Sequence, residues 1–194
     1  YSKNKPKIEN NSSVNQTIAF PIKSGYSGGI EINPTNGHLV ISGAFNRDGK
    51  TTIVNTNTTT PKTLYVKSSF TGGGDIYLLN GSTMSVENGG SITGGTLYVE
   101  NGTLSFSGTG NLSSTTDVRI SKDKVMNLNN INVTVKSVAE RGYSDGGTIS
   151  LGSGTLTMEG GWTGTIYQNS ISGSGSIVKK GTGVLSLYGT QNYY

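Results

Sequence analysis

Apolar residues along this chain alternate with polar ones in short runs, and glycine or asparagine separates one run from the next. Leu97 and Val99 form one such run, and Leu104 and Phe106 form the following one. A period of two places successive side chains on opposite sides of a strand, so each run has one apolar side. Glycine between the runs permits the backbone conformations of tight turns. The pattern therefore predicts an all-β chain of short strands joined by tight turns.

The runs recur at a constant spacing. The segment IYLLNG at 76–81 is similar to LYVENG at 97–102, which begins 21 positions later, and VRI at 118–120 follows after another 21. Longer copies exist as well, since GGTLYVENGTLSFSG at 94–108 aligns without a gap with GGTISLGSGTLTMEG at 146–160. The stretch GYSGGIEI at 25–32 also returns, with two insertions, at 142–151. Self-similarity at about 20 residues is typical of a repeat architecture.

Leucine-rich repeats, propellers and β-helices are the repeat architectures to consider. The chain has neither the leucine framework of the first nor the blade signature of the second. Coils of roughly 20 residues with two or three short strands indicate a right-handed parallel β-helix, whose coils share one interior. We predict that it spans 25–194, after a lead-in or N-terminal cap at 1–24. The predicted interior residues are Ile76, Leu78, Met84, Val86, Leu97, Val99, Leu104, Phe106, Ile131, Val133, Val135, Ile149, Leu151, Leu156 and Met158.

Composition agrees with this fold class and argues against several functions. The 194 residues include 30 glycines and no cysteine, and 31% are hydrophobic. A β-helix needs no disulfides, because its stacked coils bury a continuous core. No apolar stretch reaches the roughly 18 residues of a transmembrane helix, and the first residues do not resemble a signal peptide. The net charge of +4 is modest and the basic residues are scattered, so we expect no nucleic-acid partner.

The segment at 173–189 carries the most specific pattern in the chain. Spaced glycines, an aliphatic residue and a lysine precede a Leu-x-Leu-x-Gly ending, and Tyr193 follows shortly after. This order resembles the passenger-associated repeat of autotransporters, the proteins of type V secretion, although Gln191 and Asn192 stand where that repeat usually has Asn-Thr. The motif residues are Gly173, Gly175, Ile177, Lys179, Gly181, Gly183, Leu185, Leu187 and Gly189.

The resemblance implies a piece of a secreted passenger, anchored at the outer membrane of a Gram-negative bacterium by a C-terminal translocator barrel that is not in this chain. In that family the repeat is associated with secretion and folding of the passenger. The expected function is a non-catalytic adhesin or self-association module at the cell surface. Its expected partner is a host cell-surface protein, a glycan or another copy of the chain. Two alternatives stay open: a stalk for a protease or other enzyme domain outside this chain, and a receptor-binding toxin subunit.

Candidate catalytic and metal-binding residues do not combine into a recognisable site. Residues 25–29 (GYSGG) fit the Gly-x-Ser-x-Gly nucleophile elbow, but that motif needs a strand-to-helix turn and a distant histidine and acid. The chain's single histidine is His38, and Gly-Tyr-Ser recurs at 142–144, which indicates a repeat corner. The carboxylates lie far apart except for Asp117 and Asp123, which basic residues flank. We therefore expect no catalytic residue, no metal and no cofactor.

Tyrosine is the residue type that favours a binding surface. Tyr77 and Tyr98 occupy equivalent outward positions one coil apart, which would place them in an exposed aromatic ladder. Tyrosine combines apolar area with a polar tip, and this suits contacts with carbohydrate or protein. The alternative is that the pair only stabilises the surface of the β-helix, as cross-strand aromatic pairs do.

Overall fold

A computed structural model describes residues 5–25, 29–57, 59–141, 146–161, 164–166, 170–188 and 191–193, and all regular structure within these ranges is β. The predicted all-β class is thus confirmed. The strands are β1 (Lys7–Glu9), β2 (Gln16–Ile18), β3 (Ile22–Ser24), β4 (Ile30–Asn33), β5 (Leu39–Ile41), β6 (Phe45–Arg47), β7 (Thr51–Ile53), β8 (Thr63–Val66), β9 (Ser69–Thr71), β10 (Ile76–Leu78), β11 (Ser82–Val86), β12 (Ser91–Ile92), β13 (Thr96–Val99), β14 (Gly102–Phe106), β15 (Asn111–Leu112), β16 (Asp117–Ile120), β17 (Val125–Asn127), β18 (Val133–Val135), β19 (Ser137–Glu140), β20 (Thr148–Gly152), β21 (Thr155–Met158), β22 (Gly164–Ile166), β23 (Ser170–Gly173), β24 (Ser176–Lys179), β25 (Leu185–Leu187) and β26 (Gln191–Tyr193).

The strands wind into a parallel β-solenoid in which equivalent residues lie about 22 positions apart. The chain visits three faces in turn, so every third strand returns to the same face and each coil holds three strands. Face 1 contains the sheet β1-β4-β7-β10-β13-β16-β19, face 2 the sheet from β2 to β26, and face 3 the sheet β3-β6-β9-β12-β15. Two smaller sheets continue face 1 beside β19 and face 3 beside β15. The predicted parallel β-helix is therefore confirmed.

The solenoid begins earlier than the sequence pattern predicts. The strands β1, β2 and β3 lie inside the predicted lead-in or cap at 1–24, yet each pairs in parallel with the matching strand of the second coil. The pattern does not reveal this coil because each of its strands supplies only one partly buried apolar residue, namely Ile8, Ile18 and Ile22. Residues 7–24 therefore form the first described coil of the stack.

Alternation along each strand fills the interior, as predicted. Every predicted interior residue is buried except Ile131, which is half-buried against the core. Leu64, Met84 and Leu104 show the principle, since they pair directly on three successive coils of face 2. Burying one such side chain contributes about 1.5–3 kcal/mol, but only when the neighbouring coil covers it. Each coil therefore depends on its neighbours for stability.

The two classes of sequence repeat have different outcomes in the structure. The 21-residue repeat is in register, because Ile76 pairs with Leu97 and Leu97 pairs with Val118. The longer copies are not structurally equivalent: Leu97 lies in β13 on face 1, whereas its aligned counterpart Ile149 lies in β20 on face 2. The copies at 25–32 and 142–151 also lie on different faces, because Ile30 is in β4 on face 1 and Ile149 is in β20 on face 2. All faces need alternating apolar residues, so similarity alone does not tell one face from another.

Candidate functional site

Tyr77 and Tyr98 lie side by side on the outer side of face 1. Tyr77 is the middle residue of β10, and both of its neighbours in that strand are fully buried, so its ring points outward. Tyr98 has the same setting in β13 and pairs directly with Tyr77. The two ring centroids are 4.5 Å apart, with 18° between the ring planes. Neighbouring strands are about 4.7–4.9 Å apart, so the strand spacing itself brings the rings into a stack along the solenoid.

A cation lies over each tyrosine ring. Lys50 Nζ is 3.7 Å from the ring centroid of Tyr77, and Arg141 Cζ is 4.2 Å from that of Tyr98. Glu100 holds Arg141 in place, because its Oε1 is 2.7 Å from Nη2 and accepts a hydrogen bond from Nε at 2.9 Å. A cation over an aromatic face contributes about 0.5–1 kcal/mol at exposed sites. We call Lys50, Tyr77, Tyr98 and Arg141 the tyrosine stack.

The stack determines which parts of the two rings can reach a partner. Their faces contact each other and the two cations, and both residues are half-buried, so ring edges and hydroxyl groups are what remain. Burial, with smaller effects of Asp75 and Tyr98, raises the pKa of the Tyr77 phenol above its ordinary value. The hydroxyl of Tyr77 therefore keeps its proton at neutral pH and can both donate and accept a hydrogen bond.

Sequence reasoning finds the tyrosines of the stack but misses the cations. Lys50 directly precedes β7 and Arg141 directly follows β19, so the stack joins residues from four coils. The spacing between paired residues on face 1 varies from 20, for Arg119 and Ala139, to 25, for Thr52 and Tyr77. A constant period therefore does not predict which residue lies over a given tyrosine from a coil two turns away, as Arg141 does over Tyr98.

The largest fully buried side chain of the described residues is Arg47, to which the sequence analysis assigns no role. Alternation along β6 places it inside the solenoid together with Phe45. Burial lowers the pKa of Arg47 to about 10, and the opposing effect of Asp75 is smaller. The alternation along β6 predicts that position 47 faces the interior. An arginine is unexpected there, because arginine is rarely buried without a partner.

Backbone carbonyl groups surround the guanidinium of Arg47. It donates to Gly74 through Nη1, and through Nη2 to Thr93 at 2.9 Å, Gly94 at 3.1 Å and Gly72 at 3.2 Å. These acceptors belong to the corners of the third and fourth coils, above the coil that carries Arg47. The side chain is therefore an internal clamp between coils and offers no surface to a ligand.

The residues of the autotransporter-like motif take packing positions in the last described coils. Gly173 ends β23 with a φ of 117°, and a Cβ at Gly175 would lie 1.9 Å from the carbonyl oxygen of Gly154. The backbones of the two successive coils thus come so close at position 175 that only glycine fits there. Ile177 in β24, and Leu185 and Leu187 in β25, pack against the core.

The remaining motif residues lie in corners or at strand ends. Lys179 ends β24, and its Nζ donates to the carbonyl oxygen of Gly160 at 2.9 Å, on the preceding coil. Gly181 has a φ of 76°, and Gly183 belongs to the bend before β25. Gly189 lies outside the described residues. The described positions of the motif are therefore explained by the stacking of coils.

Other candidate residues take structural positions or fall outside the described ranges. Residues 26–28 of the elbow-like motif and its repeat at 142–145 are not among the described residues. His38 Nδ1 accepts a hydrogen bond from the Thr63 backbone N–H at 2.9 Å, and Asp117 pairs with Lys136 at 2.8 Å. Within the described ranges, no three His, Cys, Asp or Glu residues are arranged to hold a metal ion. In the same part of the chain, no helix has the length and apolar character to cross a membrane.

The chain matches no protein-family model, no curated protein and no solved structure. Function therefore has to be inferred from the solenoid and from the geometry of its outer surface.

Proposed function

We propose that the chain is a non-catalytic part of an autotransporter passenger that acts as an adhesin or self-association module at the cell surface. The tyrosine stack is the observation that carries this proposal. It is a preformed cluster of two aromatic rings and two cations on the outer side of a continuous seven-stranded sheet. Tyrosine and arginine are enriched among the residues that dominate binding energies at protein interfaces.

Preorganisation strengthens the case for binding. Immobilising a flexible side chain on binding costs about 0.5–1.5 kcal/mol. Tyr77 and Tyr98 already hold each other, and Arg141 is fixed by Glu100, so little of this cost remains to be met. Phenolic hydroxyls and cations together suit the hydroxyl, carbonyl and carboxylate groups of a protein or a glycan. The partner is accordingly a host cell-surface protein, a glycan or a second copy of the chain.

Two features support the autotransporter part of the proposal. The parallel β-solenoid is the fold that the resemblance implies. The motif residues from Gly173 to Leu187 occupy strands and corners of that solenoid, where a folding role is physically reasonable. Secretion by a Gram-negative bacterium, with an outer-membrane anchor outside this chain, belongs to the same proposal.

Replacing both tyrosines tests the proposed binding role. We expect the purified chain to bind host epithelial cells or to self-associate at micromolar concentration, measured by flow cytometry and analytical ultracentrifugation. The double variant Tyr77→Ser/Tyr98→Ser should lose at least about tenfold in affinity, equivalent to about 1.4 kcal/mol, while its circular dichroism spectrum is unchanged. Tyr65→Ser is the matched control, because Tyr65 is a half-buried tyrosine on the outer side of face 2.

Two results would contradict the proposal in different ways. If the double variant binds like the wild type, the tyrosine stack only stabilises the surface of face 1. If the wild-type chain neither binds cells nor self-associates, the adhesin function itself is wrong, and the stalk alternative is favoured.

A further inference from the structure

The corners between face 1 and face 2 differ in length on three successive coils. The paired residues Ile53, Leu78 and Val99 end face 1, and Thr63, Thr83 and Thr103 are paired on face 2. The intervening segments are 54–62, 79–82 and 100–102. The first segment is much the longest, with nine residues against four and three.

An open groove of about 610 Å³ lies between the long corner and its two shorter neighbours. Pockets of about 300–1,000 Å³ are typical of sites for small ligands. The groove is lined by Asn55, Thr56, Pro61, Asn80, Gly81 and Asn101. None of these side chains is charged, and three of them are asparagines from three different coils.

The long corner forms a fixed wall of the groove. Asn55 is buried, its Nδ2 donates to the Lys62 carbonyl oxygen at 3.1 Å, and its Oδ1 accepts from the Asn57 backbone N–H at 3.0 Å. Thr56 Oγ1 accepts a hydrogen bond from Asn33 Nδ2 at 3.1 Å. These bonds tie Asn55 to its own corner and Thr56 to the preceding coil.

The opposite side of the groove presents amide groups that have no internal partner. Asn80 and Asn101 are exposed, and within the described part of the chain neither side-chain amide forms a hydrogen bond. The Gly81 backbone N–H donates to the Asn101 carbonyl oxygen at 2.6 Å, which keeps the two corners together. Two amides, each with a donor and an acceptor, thus stand one coil apart on a rigid base.

We propose that this groove binds a neutral oligosaccharide. A planar amide offers a donor and an acceptor side by side, which matches a pair of adjacent sugar hydroxyl groups, and the ring of Pro61 offers an apolar contact for sugar C–H groups. None of the described residues that line the groove is charged, which favours a neutral ligand over an acidic one. An extended peptide is disfavoured, since strand addition needs the edge of a sheet and the groove is made of corners.

The groove is close to the tyrosine stack along the chain. Tyr77 and Tyr98 precede Asn80 and Asn101 by three residues, so at most about 10 Å of backbone separates them. A chain of several sugars in the groove would therefore reach the phenolic hydroxyls of face 1. This inference rests on the proposed function, and it specifies a site and a ligand class for it.

Binding of defined saccharides to the full chain tests the inference. The probes are lacto-N-neotetraose, cellotetraose and maltotetraose, and a heparin tetrasaccharide is the acidic comparison. Binding is measured from the changes in amide chemical shifts in NMR spectra of the protein. At least one neutral tetrasaccharide should bind and shift the side-chain amide signals of Asn80 and Asn101. The double variant Asn80→Gly/Asn101→Ala should weaken binding about tenfold or more; glycine suits position 80 because Asn80 has a φ of 54°.

The control variant is Asn46→Ala, because Asn46 is an exposed asparagine on face 3. It should bind the same tetrasaccharide with wild-type affinity. The inference is overturned if no neutral tetrasaccharide binds up to about 10 mM, if only the heparin fragment binds, or if the double variant binds normally. These failures are distinct from failure of the proposed function: cell binding that depends on Tyr77 and Tyr98 would then persist without any saccharide binding in the groove.

Discussion

The guanidinium of Arg47 donates a hydrogen bond to the backbone carbonyl of Thr93, 2.9 Å away and two coils further along the solenoid. Gly74 and Gly94 accept from the same guanidinium, so one side chain links its own coil to the corners of the next two coils. No ion pair of Arg47 occurs in the described part of the chain. Backbone carbonyl groups therefore accept the hydrogen bonds that water would accept from an exposed guanidinium.

Truncation of Arg47 should destabilise the chain strongly. Arg47→Ala leaves several carbonyls unpaired and opens a cavity, so we expect the free energy of unfolding to fall by about 3–5 kcal/mol. Arg47→Met fills much of the same volume without burying a charge, and it should cost clearly less. Urea unfolding followed by circular dichroism measures both. The exposed Lys23→Ala is the control, with a change below about 0.5 kcal/mol; equal costs for alanine and methionine would contradict the cavity argument.

Gly175 lies against the preceding coil, whereas Gly73 has open space beside it, so the effects of a Cβ at these two positions can be compared. A Cβ at Gly175 would lie 1.9 Å from the Gly154 carbonyl oxygen, whereas a Cβ at Gly73 would have nothing within 4 Å. Gly175→Ala should therefore lower the free energy of unfolding by about 1–3 kcal/mol, because the coils must move apart. Gly73→Ala should be neutral or stabilising by up to about 1 kcal/mol, since it restricts the unfolded chain. Similar effects at both positions in urea unfolding would show that coil packing does not explain Gly175.

The interior of the solenoid could be predicted from the sequence, but its corners could not. Columns such as Leu64, Met84 and Leu104 require an apolar residue at the same position of every coil, and this repeats visibly in the chain. Most of the described residues in a corner such as 54–62 lie outside the core, and the corner is free to vary in length, so its residues carry no such regularity. The positions of Lys50 and Arg141 relative to Tyr77 and Tyr98 depend on the summed lengths of the corners between them. The 21-residue repeat aligns Asn80 with Asn101, but the long corner that completes the groove has no counterpart in that repeat.

The stacked tyrosines should be energetically coupled. Aromatic pairs in this geometry contribute about 0.5–1.5 kcal/mol beyond the area that they bury. A double-mutant cycle with Tyr77→Ala and Tyr98→Ala should therefore give a favourable interaction energy of that size in urea unfolding. The control cycle pairs Tyr98→Ala with Tyr65→Ala, on different faces, and should be additive within about 0.3–0.5 kcal/mol. Additivity of the Tyr77 and Tyr98 variants would mean that the stack contributes nothing beyond burial.

Titration of the Tyr77 phenol tests its environment directly. Burial is the main cause of its raised pKa, and Asp75 and Tyr98 add to the effect. The folded chain therefore holds this proton at pH values where the unfolded chain has released it, so the associated stability falls as the pH rises above about 10. The ultraviolet absorbance of tyrosinate in the wild type, minus that of Tyr77→Phe, isolates this single group. The difference should titrate at higher pH than N-acetyltyrosinamide, whereas a step at or below that reference would contradict a phenol shielded between Lys50 and Tyr98.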